Sequence, residues 1–254
     1  LEKAHVIKPA YAVEYDYVPA VQTKHSLMSK AIQGLFFAGQ INGTSGYEEA
    51  AAQGLIAGIN AYNYLNSSEM LELSRSSSYI GTLIDDLVTK DIDDPYRMLT
   101  SRSEYRLLLR QDNADFRLTP IGHKIGLVDD VQFKIFEDKQ KSIQSEIERL
   151  RAQKIPASGE VNEKLAKYGE SLERGMRMAE LLKRPNISYK ILKELDSETM
   201  KLNLSRDVYE QVEILIKYDG YLKRQEFQVE QAGKLEKFQI PEDIDYTKID
   251  HISS

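Results

Sequence analysis

The sequence predicts a mainly α chain, with a short α/β segment over residues 1–65 and an all-helical region over residues 66–254. Three observations carry this expectation. Residues 38–54 read AGQINGTSGYEEAAAQG, a glycine-rich loop between an apolar run and an alanine-rich stretch. Asn66-Ser67-Ser68 and the serines of residues 74–78 mark a change of composition. Beyond them, helix-start signals and apolar residues at helical spacing recur with no fixed repeat.

Taken in order, Val6-Ile7 and residues 11–18 carry β-branched and aromatic residues with partial alternation, which suits strands. Leu35-Phe36-Phe37-Ala38 is a short apolar run, as in a buried strand. A helix is expected from Tyr47 to about Leu65, opened by a capping box, Ser45-x-x-Glu48. Ala50, Gly54, Ala57 or Gly58, and Ala61 give it a face of small residues that permits close approach. A second box, Ser101-x-x-Glu104, precedes a helix over residues 105–110. Thr119-Pro120 reads as the N-cap and first residue of a short helix ending at Gly126.

Asp129-Asp130 opens a long helix to about Lys154, with Val131, Ile135, Ile143, Ile147 and Leu150 as a broken apolar stripe. Pro156 and Gly159 stop it. Helices follow around residues 162–168, 177–183 and 189–195. Ser205 caps another, through Val208, Val212, Leu215 and Ile216 toward Tyr218, and Pro241-Glu242-Asp243 reads as one more start.

With 41% hydrophobic residues the chain can build a packed core, and a net charge of −6 rules out a protein that is basic all over. The absence of cysteine excludes disulfides, thiolate metal sites and cysteine nucleophiles within the chain. His5, His25, His123 and His251 are scattered singly, so no metal site or triad is expected, and no catalytic residue is assigned. No apolar run approaches the roughly 18 residues of a membrane span. Leu1-Glu2-Lys3 has no apolar core behind it and no initiator Met. It reads as the start of a chain cut from something longer, in a cytoplasmic setting.

The loop before the first helix has a chemistry of its own. A helix N-terminus presents about four unpartnered N–H groups and roughly half a positive charge. Gly43 and Gly46 allow a ligand to come close, and the Gln40 and Asn42 amides can match the edge of a pyrimidine-like ring. Such an end suits a phosphate or the electron-rich edge of a reduced flavin. It also suits an ordinary β-loop-α connection, and the spacing is not GxGxxG. Glu48 and Glu49 are expected to cap the helix and offset its dipole rather than catalyse.

From Lys90 to Arg117 there are six basic and six acidic residues, so the stretch is neutral in sum. Arg102, Arg106 and Arg110 recur every four residues, which would line them along one helical face near Tyr96 and Tyr105. That pattern suits an RNA backbone with a splayed base, and equally suits ion pairs with the local acids.

Residues 38–61, AGQINGTSGYEEAAAQGLIAGINA, closely resemble the signature of the GidA/MnmG family of flavin-dependent tRNA wobble-uridine modification enzymes. The resemblance extends through GTLIDDLVT at residues 81–89 and PYRMLTSRSEYRLLLR at residues 95–110. It includes Asp112-Asn113-Ala114-Asp115 with Arg117-Leu118-Thr119, KYDGY at residues 217–221, and the opening KPAYAVEYD at residues 8–16. It implies that residues 1–65 are the C-terminal part of a Rossmann-like, glutathione-reductase-type FAD-binding domain. Residues 66–254 would be a helical tRNA- and partner-binding domain, incomplete at its C-terminus. The family's GxGxxG motif and its functional cysteines would lie upstream.

Carried over by position, Gln40 resembles the family's flavin contact, with Gly39, Asn42, Gly43, Thr44 and Gly46 around the ring. Arg97 and Arg106 match arginines used for tRNA, and Arg102, Arg110 and Lys90 are secondary candidates. The implied activity adds a carboxymethylaminomethyl group to C5 of the wobble uridine. FAD is the cofactor, with methylenetetrahydrofolate and NADH as co-substrates, and the implied assembly is a homodimer with an MnmE-type GTPase. A related folate- and FAD-dependent tRNA uracil-5-methyltransferase has a similar AGQ loop, but should lack the long helical tail. A non-catalytic module binding tRNA or the GTPase is the reading from another class.

Overall fold

The structure, a computed structural model, describes residues 3–10, 14–90, 92 and 94–235. The expected helix start at Pro241-Glu242-Asp243 lies outside them. The chain is predominantly helical and divides into two compact units, residues 1–109 and 110–254. The helix over Tyr79–Thr89 thus clusters with the first 65 residues rather than with the helices that follow.

In the first unit, α1 spans Tyr47–Leu65 and α2 spans Tyr79–Thr89. Of the strands expected over residues 11–18 and 35–38, residues 11–13 lie outside the described residues, and 14–18 and 35–38 form no ladder. Described pairing here is limited to single bridges, Thr23 with Ser29, Met28 with Phe36 and Thr44 with Tyr96. Val6 and Ile7 lie exposed, Ile7 at the start of a bend. A strand needs a neighbour to take its N–H and C=O groups, and these segments find only isolated partners.

The buried face of α1 explains how so much irregular chain is held. Its buried positions are Glu49, Gln53, Ile56, Ala57 and Asn60, a single face at helical spacing, and three of the five are polar. Ile56 and Ala57 pack with Leu27, Ile84 and Val88. Asn60 donates to the carbonyls of Ser26 (3.0 Å) and Leu71 (2.9 Å) and accepts from Leu71 N at 2.6 Å. Of the small residues expected to permit close approach, Ala50 abuts Gly39, while Gly54 and Gly58 face open space.

α2 starts at Ser78, whose hydroxyl accepts from Gly81 N at 2.9 Å. Its apolar side, Leu83 and Leu87, packs on Ala20 and the buried Tyr96.

The second unit begins with α3, Ala114–Lys124, and α4, Asp130–Ala152. Thr119 and Pro120 fall inside α3 rather than opening it. The helix starts upstream, where the Asn113 side chain takes the Arg110 amide, and Phe116 packs edge-on against Phe136 of α4. Asp129 caps α4 as expected, accepting from Gln132 N at 2.7 Å. Ile143, Ile147 and Leu150 are buried, but Val131 and Ile135 are exposed, and Phe136 fills the inward position near the start.

A two-residue antiparallel pair, β1 (Lys154–Ile155) with β2 (Met176–Arg177), then brackets α5, Gly159–Ala166. Gly159 is the first residue of α5, behind the cap Ser158, rather than only a stop. α6 (Met178–Leu182), α7 (Tyr189–Leu195), α8 (Ser197–Lys201) and α9 (Arg206–Leu235) complete the unit. α9 runs well past Tyr218. One continuous apolar cluster joins α4 to α9, including Leu150, Leu165, Met178, Leu182, Leu192 and Val212. In it Tyr189 donates to Glu146 (2.8 Å), and burial first, then that bond, pushes the phenol well above its ordinary range.

Candidate functional site

The loop expected to meet a ligand is a turn of 3-10 helix, Gly39–Asn42, flanked by Gly39 and Gly43 at φ of +81° each. Side chains rarely adopt that backbone region, so these two glycines are required by conformation. Gln53, fully buried on α1, organises the turn. Its Oε1 accepts from Gly39 N (3.1 Å) and from Asn42 Nδ2 (2.9 Å), and its Nε2 donates to Thr44 Oγ1 and Glu49 O, both at 3.0 Å. Asn42 also donates to Phe37 O at 3.0 Å. The hydrophobic pattern gave no hint of Gln53, although its spacing from Glu49 and Ile56 places it on the buried face.

Asn42 and Thr44 are therefore buried parts of the scaffold. Gln40 is different. Its side chain is exposed, makes no hydrogen bond among the described residues, and lines a cavity of about 170 Å³ with Tyr15, Tyr17, Thr44, Asp94 and Pro95. Tyr17 lies over Gly43, where an added Cβ would come within 2.8 Å of the ring. Asn42 Oδ1 is buried with no hydrogen-bond partner among the described residues.

Gly46 is the N-cap of α1 with no side-chain cap bond, so the expected Ser45-x-x-Glu48 box does not form. Glu49 turns inward instead and accepts from Met98 N at 2.7 Å, while Glu48 stays exposed and pairs with Arg97 at 3.4 Å. This sets the helix start one residue later than the box requires.

The arginines do not share a helical face. Residues 106–108 form a turn rather than a helix, and the nearest helical turn before them is Thr100–Arg102. Glu104 cannot cap a helix because Arg75 holds both its oxygens, at 2.8 and 2.9 Å, a charge-assisted pair stronger than a cap. Arg97 and Arg102 come together: Arg102 donates to Arg97 O at 2.8 Å and lies 4.3 Å over the Tyr96 ring. Arg106 is exposed and has no ion pair among the described residues. Lys90 is committed to Asp86 at 2.6 Å, and Arg110 belongs to the second unit and pairs with Asp112 at 3.2 Å.

Beneath this segment lies a buried acid. Asp86 is fully buried, which works against its charge, but hydrogen bonds from Lys90, Arg75 and Tyr96 hold its carboxyl below the ordinary carboxylate range. Tyr96 donates to it at 2.9 Å and is pushed well up, first by burial and then by that bond. Arg75 likewise draws the Glu104 carboxyl down. Among the described residues no group of His, Asp and Glu gathers to hold a metal ion, and no helix is long and apolar enough to cross a membrane.

Two family models match the chain. Residues 1–69 match glucose inhibited division protein A, and residues 130–226 match the tRNA modifying enzyme MnmG/GidA C-terminal helical domain. A relative from Caldicellulosiruptor saccharolyticus, named tRNA uridine 5-carboxymethylaminomethyl modification enzyme MnmG, is 54% identical over 255 residues. One of the same name from Lachnoclostridium phytofermentans is 53% identical over 250. These alignments cover 100% and 98% of this chain but 40% of each relative, so the chain spans about two fifths of the length of the curated proteins it matches. The solved structure of Aquifex aeolicus GidA in its form II crystal superposes with a TM-score of 0.78 at 40% identity, over 97% of this chain and 38% of that one. With both units matched in sequence and the fold matched in space, the chain belongs to the GidA/MnmG family.

Proposed function

We propose that this chain forms the flavin-ring side and the helical RNA-binding part of a longer tRNA-modifying enzyme. That enzyme adds a carboxymethylaminomethyl group to C5 of a wobble uridine, with methylenetetrahydrofolate as one-carbon donor and NADH as reductant. The names of its relatives support this activity. By the same family reading the enzyme is a cytoplasmic homodimer that works with an MnmE-type GTPase. Residues 1–65 complete the FAD-binding domain and residues 66–254 serve tRNA and partner binding, with residues 66–109 packed into the flavin-side unit.

The observation that carries the reading is Gln40, an amide left open at a cavity by a loop in which Gln53 holds Gly39 N, Asn42 Nδ2 and Thr44 Oγ1. The residues present fit one edge of a flavin. Gly39 and Gly43 hold the backbone in the conformation that a close approach requires, Tyr15 and Tyr17 offer aromatic surface, and the buried Asn42 Oδ1 has no donor among the described residues. When bound, FAD supplies the electron-transfer chemistry. The chain's own part is to hold the ring edge with Gln40 and the Gly39–Asn42 turn. Arg97, Arg102 and Arg106 then grip the RNA whose target base must leave its stack.

In the full-length protein, Gln40→Ala is expected to weaken FAD binding about tenfold, the worth of one good hydrogen bond. Flavin fluorescence titration reads this, and unchanged affinity removes Gln40 from the site. The chain contains no GxGxxG, so by itself it is expected to bind FAD poorly. A gel shift with tRNA in the absence of flavin would make the isolated chain an RNA-binding module.

A further inference from the structure

The RNA-facing segment and the cofactor loop are joined by direct bonds. Tyr96 N donates to Gly43 O at 2.8 Å, and two residues on Met98 N donates to Glu49 Oε1 at 2.7 Å. Arg97 sits between these two anchors, with its guanidinium 3.9 Å from Glu49 and 3.4 Å from Glu48. Tyr96 is pinned from its other end by Asp86 at 2.9 Å.

Glu49 is costlier than a cap needs to be. It is 1% exposed, and its Oε2 has no hydrogen-bond partner among the described residues. The carboxylate is seated against Gly46, where an added Cβ would come within 1.8 Å of Oε2. Burying a carboxylate with one oxygen unmatched is unfavourable, and the N-terminal dipole of α1 offsets it only in part. The neighbouring Glu48, exposed in the same turn, could serve the dipole at no such cost. The extra feature of Glu49 is geometric: it fixes the backbone just after Arg97 to the helix that carries Gln53.

We propose that Glu49 is a positioning residue. By holding Met98 it sets Arg97 at a fixed spacing from the Gly39–Thr44 loop, so a nucleotide gripped by Arg97 is presented to the ring held there. This rests on the functional reading above.

The test uses the full-length enzyme, with Glu49→Ala, Glu49→Gln and wild type compared for FAD content, kcat and KM for tRNA. Glu49→Ala is expected to lower kcat about 10- to 100-fold, as misplacement of reacting groups by about 1 Å does, with KM changed far less and FAD content kept. Glu49→Gln retains an oxygen that accepts from Met98 N and is expected to recover activity to within about threefold of wild type. Full activity in Glu49→Ala overturns the proposal. So does loss of FAD alongside activity, which would make Glu49 part of the cofactor loop itself, and so does a Glu49→Gln variant as poor as Glu49→Ala. Wild-type protein that fails to modify tRNA overturns the functional reading first, and the proposal with it.

Discussion

Gln53 and Arg106 mark the two extremes of how a polar side chain is used in this chain. Gln53 has every hydrogen-bonding group of its amide engaged by the loop or by its own helix, and an apolar replacement would leave several buried partners unmatched. Arg106 is exposed on a turn, with no ion pair among the described residues. Arg106→Ala in the full-length protein is therefore expected to cost little stability. It should weaken tRNA binding about three- to tenfold and make log Kd less steep in log salt by about one phosphate contact. Filter binding across a salt series reads both effects; unchanged affinity removes Arg106 from the interface. The four-residue spacing of Arg102, Arg106 and Arg110 is visible in the sequence, but it carries no geometry without a helix. Arg75 prevents that helix by taking Glu104, and nothing in the local spacing announces a partner 29 residues away.

At the level of elements, local rules were enough where local forces decide. The N-cap of α4 at Asp129 and the span Tyr189–Leu195 follow from capping residues and apolar spacing, and the span Tyr47–Leu65 forms as expected although its capping box does not. Among the described residues, 14–18 and 35–38 form no strand because a strand is decided by its neighbour, which the segment itself does not specify. α2 with its ionic surroundings also gives a pH prediction. Asp86 and Glu104 have folded pKa values below their ordinary 3.8 and 4.5. Each therefore contributes stability that is complete above its ordinary value and lost as pH falls through its lower folded value. Unfolding midpoints of the first unit are expected to be flat above about pH 5 and to fall progressively as pH drops below 4.5 and then 3.8. Arg75→Met should cost about 3–5 kcal/mol at neutral pH by leaving Asp86 buried with one cation fewer. It should also make the acid limb shallower. Urea denaturation from pH 7 to pH 2, followed in both proteins, checks the sign; an acid limb of equal steepness in the variant would mean that Arg75 does not set it.

For the molecule as a whole, the two units are stabilised differently. The second has a continuous apolar cluster from Ile143 to Ile216, whereas the first has two small clusters and a buried helix face that is mostly polar. Native-state hydrogen exchange is expected to show its slowest amides in α6 and α7, at Leu181, Leu182 and Leu192, and faster exchange throughout residues 66–78. Equal protection in the two units would contradict this division. The gross plan, a mainly α chain, was legible because helix-start signals and apolar residues at helical spacing recur along most of it. The unit boundary at residue 109 was not, because α2 clusters with the first unit through side chains that look like those of any amphipathic helix.

The polar face of α1 also bears on protein engineering. Hydrogen bonds are directional, so Glu49, Gln53 and Asn60 act as a jig with three fixed pegs, each spoken for by a different stretch of chain. The motif at residues 38–46 is consequently not portable as a peptide. A scaffold that received those nine residues without α1 in register would inherit their glycines and none of their shape. The smallest transferable part is the loop together with its helix.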